Sequence, residues 1–465
     1  MRCAAIVAIL ALGPLALCAQ TTTSFRVLHT FTAISGKPLA NNDGASPLGG
    51  LVLCGRTLFG TTADGGNGGF GTVFQVNTDG SCFRTLYNFT NGSDGATPIA
   101  PLLVSGGMLY GTASAGGLSA YGTVFALDTG GSNFSTLYTF TNGMDGARPS
   151  AGLLLSGNAL YGTTAGTISG SSYGSVFMIN TNGSPFSVLH QFSAPSSIRY
   201  TNSDGFFLSG PLLMSEGILY GVAMDGGAHG CGTLFTNAGD APDSGPAYTF
   251  AEATGFPFIN GGGANPQGGV VLSGATLFGT AYDGGVNGWG TIYEYDLTSS
   301  DFSPIYSFTD GEDYSNPQGP LVVSSNMLYG TTPATIFGLT TGGTDFTNLF
   351  SFPSTISDGS GNYTNATGFA PNGGLVLAGQ SFYGTAEYGG SNGFGTVFAF
   401  DLFPTAVPLT IQQAQGAVIL TWTNSAFTLQ SAPALDGIFT NVPGAVSPCT
   451  NALGGAQMFF RLLAN

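Results

Sequence analysis

The sequence predicts an all-β protein: a seven-bladed β-propeller of four-stranded blades, closed by the N-terminal strand, plus a small C-terminal β-sandwich-like module. Three observations predict it. First, a leucine–aromatic–Gly–Thr step recurs as Leu58-Phe59-Gly60-Thr61, Leu109-Tyr110-Gly111-Thr112, Leu160-Tyr161-Gly162-Thr163, Leu277-Phe278-Gly279-Thr280 and Leu328-Tyr329-Gly330-Thr331. Two altered copies are Leu219-Tyr220-Gly221-Val222 and Phe382-Tyr383-Gly384-Thr385. Second, the marker glycines lie 51, 51, 59, 58, 51 and 54 residues apart, a period that fits strand-rich propeller blades. Third, the seventh set of strands lacks a fourth member, while Leu28-His29-Thr30-Phe31 is a fourth strand with no preceding three. Pairing the two ends closes the ring and removes its exposed sheet edges.

Taken in chain order, residues 1–19 read as a secretory leader. Arg2 supplies the positive start, residues 4–17 are apolar, and Ala16-Leu17-Cys18-Ala19 ends in small residues. The propeller is expected over 24–403. In its first blade Gly50-Leu51-Val52-Leu53 is a short apolar strand, and residues 57–62 form the second. Asp64-Gly65-Gly66-Asn67-Gly68-Gly69 is a loop, because glycine runs do not hold strands. Phe70 to Val76 is a β-branched and aromatic third strand, Thr78-Asp79-Gly80-Ser81 is a hairpin turn, and Phe83 to Phe89 is the fourth strand. Four strands per repeat make one blade. After Phe403-Pro404 the repeat stops, and residues 405–465 carry short strands of a separate β module.

The formal net charge is −16 and only 7% of residues are charged. Such acidity argues against nucleic acid and anionic membrane surfaces as partners. No apolar run in the mature chain approaches the roughly 20 residues that span a bilayer, and a monomer is expected. Cys54, Cys82, Cys231 and Cys449 form no C-x-x-C pair, so a zinc site is not expected. Cys54 and Cys82 fall in one blade, where a bridge is conceivable, but the pairing stays open.

Taken together, G-[LV]-[VL]-L-x-G-x-x-L-[YF]-G-T-T, then D-G-G-x-x-G-x-G-T-V-F, then L-Y-x-F resembles the GloVer tandem repeat. Chains that carry it are termed choice-of-anchor tandem repeat GloVer-containing proteins, bacterial exported proteins with differing C-terminal anchors. The resemblance covers about residues 26 to 402. It implies export and an extracellular or cell-surface setting, and it brings no established activity and no catalytic residues. The C-terminal part is similar to short terminal modules that close on Phe459-Phe460-Arg461-Leu462, and it carries no Pro-Glu-Pro signal followed by an apolar helix.

No catalytic residues are assigned. The seven innermost strands, such as Leu51-Val52-Leu53 and Leu153-Leu154-Leu155, contain no Asp, Glu, His, Lys or Arg. A channel-centred acid–base pair therefore has no source. Carboxylates gather instead on the face bearing the fourth-to-first and second-to-third strand loops. Asp43, Asp94, Asp145, Asp204, Asp310 and Asp358 each precede a glycine, and Asp64, Asp225 and Asp283 each precede Gly-Gly. The first six are a candidate calcium set, since calcium takes oxygen ligands; the bland alternative is Asp-Gly turn chemistry. Long insertions bring aromatic residues Tyr200, Phe206, Phe207, Phe256, Phe258 and Tyr363, with Arg199. These are the candidate ligand-binding residues, because an exposed ring can stack on a sugar. The expected function is a non-enzymatic exported binding propeller for an extracellular glycan or surface protein. The rivals are a polysaccharide-active lyase or hydrolase and a structural envelope or matrix protein.

Overall fold

In a computed structural model, the described residues are 25–167, 172–197, 200–238, 245–255, 257–311, 313–357, 359, 362–402, 410–414, 417–421, 427–432, 440–452 and 459–464. The expected leader, 1–19, lies outside them, as do the candidates Phe256 and Asp358 and their neighbour Arg199. The chain divides into two compact units, Arg26–Phe400 and a second that contains Asp401–Asn465. Among the described residues every regular element is a strand.

The first unit is a seven-bladed β-propeller of antiparallel sheets. Blade one runs Val52–Cys54, Thr57–Thr62, Thr72–Asn77 and Arg84–Asn88 in that order. The last blade is Leu375–Ala378, Ser381–Ala386 and Thr396–Asp401, completed by the N-terminal strand Phe25–Thr30. The amide of Phe31 donates to the carbonyl of Gly395 at 3.1 Å just past that pairing. Blade four gains a fifth strand, Phe206–Leu208, paired to Ile218–Asp225. The second unit holds two three-stranded antiparallel sheets: Thr410–Ala414, Ala417–Thr421 and Cys449–Ala452; and Thr440–Asn441, Phe427–Ala432 and Phe459–Ala464. Its buried apolar side chains include Leu420, Leu429, Ala432 and Phe460.

The repeat marker has a physical meaning. Gly60 pairs with Phe74 on the third strand, and a Cβ there would lie 2.5 Å from the Phe74 ring and 2.8 Å from Leu51. The marker glycine is thus the socket for the phenylalanine of the Gly-Thr-Val-Phe step, and Phe74, Phe125, Phe177, Phe337 and Phe398 are all fully buried. The marker threonine ties blades together. Thr61, Thr112, Thr331 and Thr385 donate to the carbonyls of Ala100, Ala151, Pro371 and Gly49 in the following blade at 2.8–3.3 Å. Thr163 and Thr280 occupy the same position with their hydroxyls buried and unpaired.

The core lies in the seams between blades. Phe59 and Leu86 of blade one pack on Leu127 of blade two, and Phe278 and Ile305 of blade five pack on Leu339 of blade six. Rings extend each seam outward: Tyr87 stacks on Phe134 at 3.9 Å and Tyr138 on Phe186 at 3.7 Å. At the axis, neighbouring backbones touch through glycine, as at Gly50 with Gly373 and Gly268 with Gly319. The four cysteines of the described residues are free thiols, with Cys54 and Cys82 exposed.

Blade five departs from the repeat by placing Tyr293 where the six other blades have buried phenylalanine. Its hydroxyl is buried without a partner, and burial drives its pKa far up. A buried unpaired hydroxyl costs about 1–3 kcal/mol. Tyr293→Phe is therefore expected to raise stability by about 1–2 kcal/mol, read as a higher urea midpoint at unchanged slope. A lower midpoint would refute the unpaired reading.

Candidate functional site

The loop-bearing face is built from a repeated cradle. In it the Asp94 carboxylate accepts from the Thr90 amide at 2.8 Å, the Thr90 hydroxyl at 2.7 Å, the Gly92 amide at 3.1 Å and the Tyr87 hydroxyl at 3.2 Å. Asp145 repeats this with Thr141, Gly143 and Tyr138. Where the loop is longer, histidine replaces tyrosine. His29 meets Asp43 at 3.0 Å and His190 meets Asp204 at 3.1 Å. Thr32 and Ser193 add hydroxyl and amide donors to these two carboxylates. Burial pushes Asp43 and Asp204 upward, but the hydrogen bonds from these donors together outweigh it and hold both below the usual carboxylate range. Buried Asp43, Asp94 and Asp145 thus spend their oxygens on their own turns.

The structure corrects one member of this set. In blade five the cradle carboxylate is Asp313, which accepts from Thr309, Gly311 and Tyr306. Asp310 instead takes the left-handed corner, at φ 60°, that Asn91 and Asn142 hold at φ 60° and 62°. The Asp-Gly dipeptide misled because the cradle glycine here follows Asp310, while Asp313 is followed by Tyr314. The candidate carboxylates sit in separate blades, and among the described residues no three His, Cys, Asp or Glu side chains gather to hold a metal.

The candidate aromatic residues come together only in part. Tyr200, Phe258 and Tyr363 are exposed, whereas Phe206 is buried at 4% exposure in the extra strand of blade four. Tyr200 and Phe207 each lie 6.4 Å from Phe206 by ring centroid. Tyr363 belongs to a separate two-stranded ribbon with Ile356–Ser357.

Three other carboxylates form a distinct group on this face. Asp225 and Asp283 each end a second strand and take an amide from the start of the next blade, while Glu387 follows its second strand and takes an amide from the segment leading into its own blade. Asn265 donates to Asp225 at 2.9 Å, Asn316 to Asp283 at 3.3 Å, and Asn372 to Glu387 at 3.0 Å. Asn265 and Asn316 precede prolines and hold φ of 56° and 59°, a conformation asparagine tolerates better than most residues. Burial raises the pKa of all three acids, with Asp225 pushed up to about 6. The Asp64 carboxylate raises Glu387 further. A hydrogen bond to Glu387, with burial, pushes Tyr388 up to about 12. Cys231 is raised by burial, and the charges of Glu252, Asp225 and Asp283 reach it. The positions in blades two and three that correspond to Asp225 and Asp283 are Ala115 and Gly166, and the linker residue between those blades is the exposed Arg148. One arc of the face is thus acidic and amide-rich, and the other carries a cation. Perturbed acids in one region are a marker of functional sites.

Asp225 and Asp283 are legible in the sequence as loop-face acids; Glu387 and the three asparagines are not. Asn before Pro, where other blades place Ser46, Thr97 or Arg148, is the signal that could have found two of them.

The Gloeobacter/Verrucomicrobia repeat profile matches residues 17–235 and 199–361. The chain belongs to this repeat family. No curated protein matches it. Similar solved structures include an oligogalacturonate lyase in complex with manganese, 10% identical, covering 75% of this chain and 86% of that one, TM-score 0.46. A puromycin-hydrolyzing peptidase of Mycobacterium tuberculosis is 13% identical over 85% of this chain and 62% of its own, TM-score 0.47. A chain of a nidogen/laminin complex is 13% identical over 59% of this chain and 84% of its own, TM-score 0.38. Such values lend this GloVer-repeat protein no reaction and no ligand. Among the described residues no helix is long and apolar enough to cross a membrane.

Proposed function

We propose that this GloVer-repeat propeller is an exported, non-enzymatic binding protein whose loop face holds a neutral, hydroxyl-rich ligand, an extracellular glycan. The observation that carries the reading is a set of half-buried carboxylates: Asp225 and Asp283, each anchored by an amide from the next blade, and Glu387, anchored by Asn372 of its own blade. Carboxylate and amide groups held in fixed positions accept from and donate to sugar hydroxyls without an ordering cost at binding. The net charge of −16 disfavours anionic polymers.

The test is retention of the protein on a panel of neutral polysaccharides. At least one should retain it, and Asp225→Asn with Asp283→Asn should cut affinity at least tenfold in the folded protein. Full retention by the double variant, or no retention of the wild type on any neutral polymer, overturns the assignment.

The pH dependence follows from Asp225. Its folded pKa, about 6, lies above the ordinary 3.8. Its contribution to stability is therefore complete below pH 3.8 and is lost as pH rises through about 6. As a hydroxyl acceptor it acts when ionised, so glycan affinity should rise between pH 5 and 7, and Asp225→Asn should flatten the profile. A wild-type profile flat over that range would remove Asp225 from the site.

A second reading rests on the same residue. A carboxyl that burial keeps protonated to about pH 6 can serve as a general acid. Shortened chains released from a bound polysaccharide, abolished by Asp225→Asn, would favour a glycan-active enzyme over a binder.

A further inference from the structure

We propose that the seam between blades four and five holds a second, separate binding site for one neutral sugar ring, on the face opposite the loop-bearing one. The observation is a break in seam packing that the other blades do not share. In three comparable seams a fourth-strand leucine or isoleucine, an aromatic residue of the second strand and an aliphatic residue of the next blade pack together: Leu86, Phe59 and Leu127; Leu137, Tyr110 and Ile179; Ile305, Phe278 and Leu339. In the four–five seam the fourth-strand residue is Ala247, and the residue from the next blade is Tyr295. The hairpin glycine of other blades, Gly80, Gly131, Gly183 and Gly343, is here Ser300 at φ 61°. Shortening leucine to alanine leaves space where surroundings do not collapse. The result is a cavity of about 240 Å³ lined by Tyr220, Thr236, Ala247, Tyr295, Leu297 and Ser300.

Its chemistry selects a ligand class. Tyr220 and Tyr295 are 7% and 6% exposed, and among the described residues neither hydroxyl has a protein hydrogen-bond partner. Neither hydroxyl is a buried unpaired oxygen of the kind Tyr293 has, so both stay open to a partner that enters the cavity. Ser300 adds a further hydroxyl, while Ala247 and Leu297 supply an apolar wall. Hydroxyl groups donate and accept, so they match other hydroxyls. Among the described residues no basic side chain lines the cavity to hold an anion, and the charge of nearby Glu216, which with burial and Tyr295 raises the Tyr220 pKa, repels one. The volume lies below the roughly 300 Å³ at which pockets for drug-sized molecules begin and above the roughly 150 Å³ that holds benzene. One substituted ring fits.

The test uses the full chain and three probes: methyl α-glucopyranoside, methyl β-galactopyranoside and glucuronate. Binding is read by saturation-transfer NMR and by thermal shift. At least one neutral glycoside should bind, and glucuronate should bind at least tenfold more weakly. Ala247→Leu restores the residue type of the other blades. It should abolish binding at least tenfold while leaving the melting temperature equal or higher. Tyr295→Phe, which keeps the ring and removes one hydroxyl, should weaken binding several-fold. Asp225→Asn with Asp283→Asn should leave this binding intact, which separates the outcome from the loop-face reading. Binding that survives Ala247→Leu, a preference for glucuronate, or no neutral glycoside bound while Ala247→Leu merely stabilises would overturn the proposal, the last by showing a packing defect only.

Discussion

Gly60→Ala is expected to cost about 3 kcal/mol, the upper end of what one methyl group forced into a full core costs. The added carbon would stand 2.5 Å from the Phe74 ring and 2.8 Å from Leu51. Phe74 is fully buried and Leu51 nearly so, so neither can retreat into solvent. Phe74 cannot simply turn, because its ring also meets Phe31 of the last blade at 5.4 Å and Phe83 at 5.6 Å. Denaturant unfolding checks the size of the effect. Gly60→Ala combined with Phe74→Leu should recover more than about 1 kcal/mol relative to the sum of the two single changes, since neighbours in contact do not add. Gly342→Ala is the control, for nothing lies within 4 Å of its Cβ position, and it should fall within about 0.5 kcal/mol of wild type. Equal costs at Gly60 and Gly342 would show that the marker glycine is not a socket.

That socket explains why the architecture was legible. In five copies the marker glycine meets a leucine and a phenylalanine of its own blade, and in the other two it meets the ring of Tyr293 or Phe398, so nearly the same local requirement is written into the chain seven times. Ring closure was legible for the same reason: Leu28-His29-Thr30-Phe31 carries the fourth-strand pattern, and Phe31 packs with Phe74 and Val397 in one cluster. The loop face was legible only in part. Asp225 and Asp283 stand out because their blades differ from blades two and three. Their partners Asn265 and Asn316 are 40 and 33 residues away, and nothing local marks a contact that exists only because blade follows blade. Phe206 shows the opposite failure. It read as an exposed insertion aromatic, but pairing with Asp225 as an added strand turns it inward. The cavity of the four–five seam was invisible for a third reason. It arises from what Ala247 lacks, and an absent leucine becomes a volume only when the neighbours that do not collapse are in place.

Asp313→Asn should destabilise by about 2–3 kcal/mol while Asp310→Asn should be near neutral, an inversion of what the Asp-Gly dipeptide suggests. Every neighbour of the Asp313 carboxylate is a donor: the Tyr306 hydroxyl at 2.9 Å, the Thr309 amide at 2.8 Å, the Thr309 hydroxyl at 2.6 Å and the Gly311 amide at 3.2 Å. An ionised carboxylate is acceptor-only, so the match is complete. Asparagine would keep one oxygen and aim its NH2 at donors, leaving at least one buried donor unpaired at about 1–3 kcal/mol and losing charge-assisted bonds worth more than neutral ones. Asp313 is 6% exposed, so water cannot readily replace what is lost. At Asp310 the requirement is conformational. Its φ of 60° is the one that Asn91 and Asn142 adopt in the equivalent corners, and asparagine favours that region. Thermal melts of the two variants decide between the assignments. A large loss at Asp310 with none at Asp313 would return the cradle to the Asp-Gly step. The expected order instead shows that this carboxylate, like Asp94 and Asp145, is held by its own turn, leaving the amide-anchored acids of blades four, five and seven as the carboxylates to test for ligand.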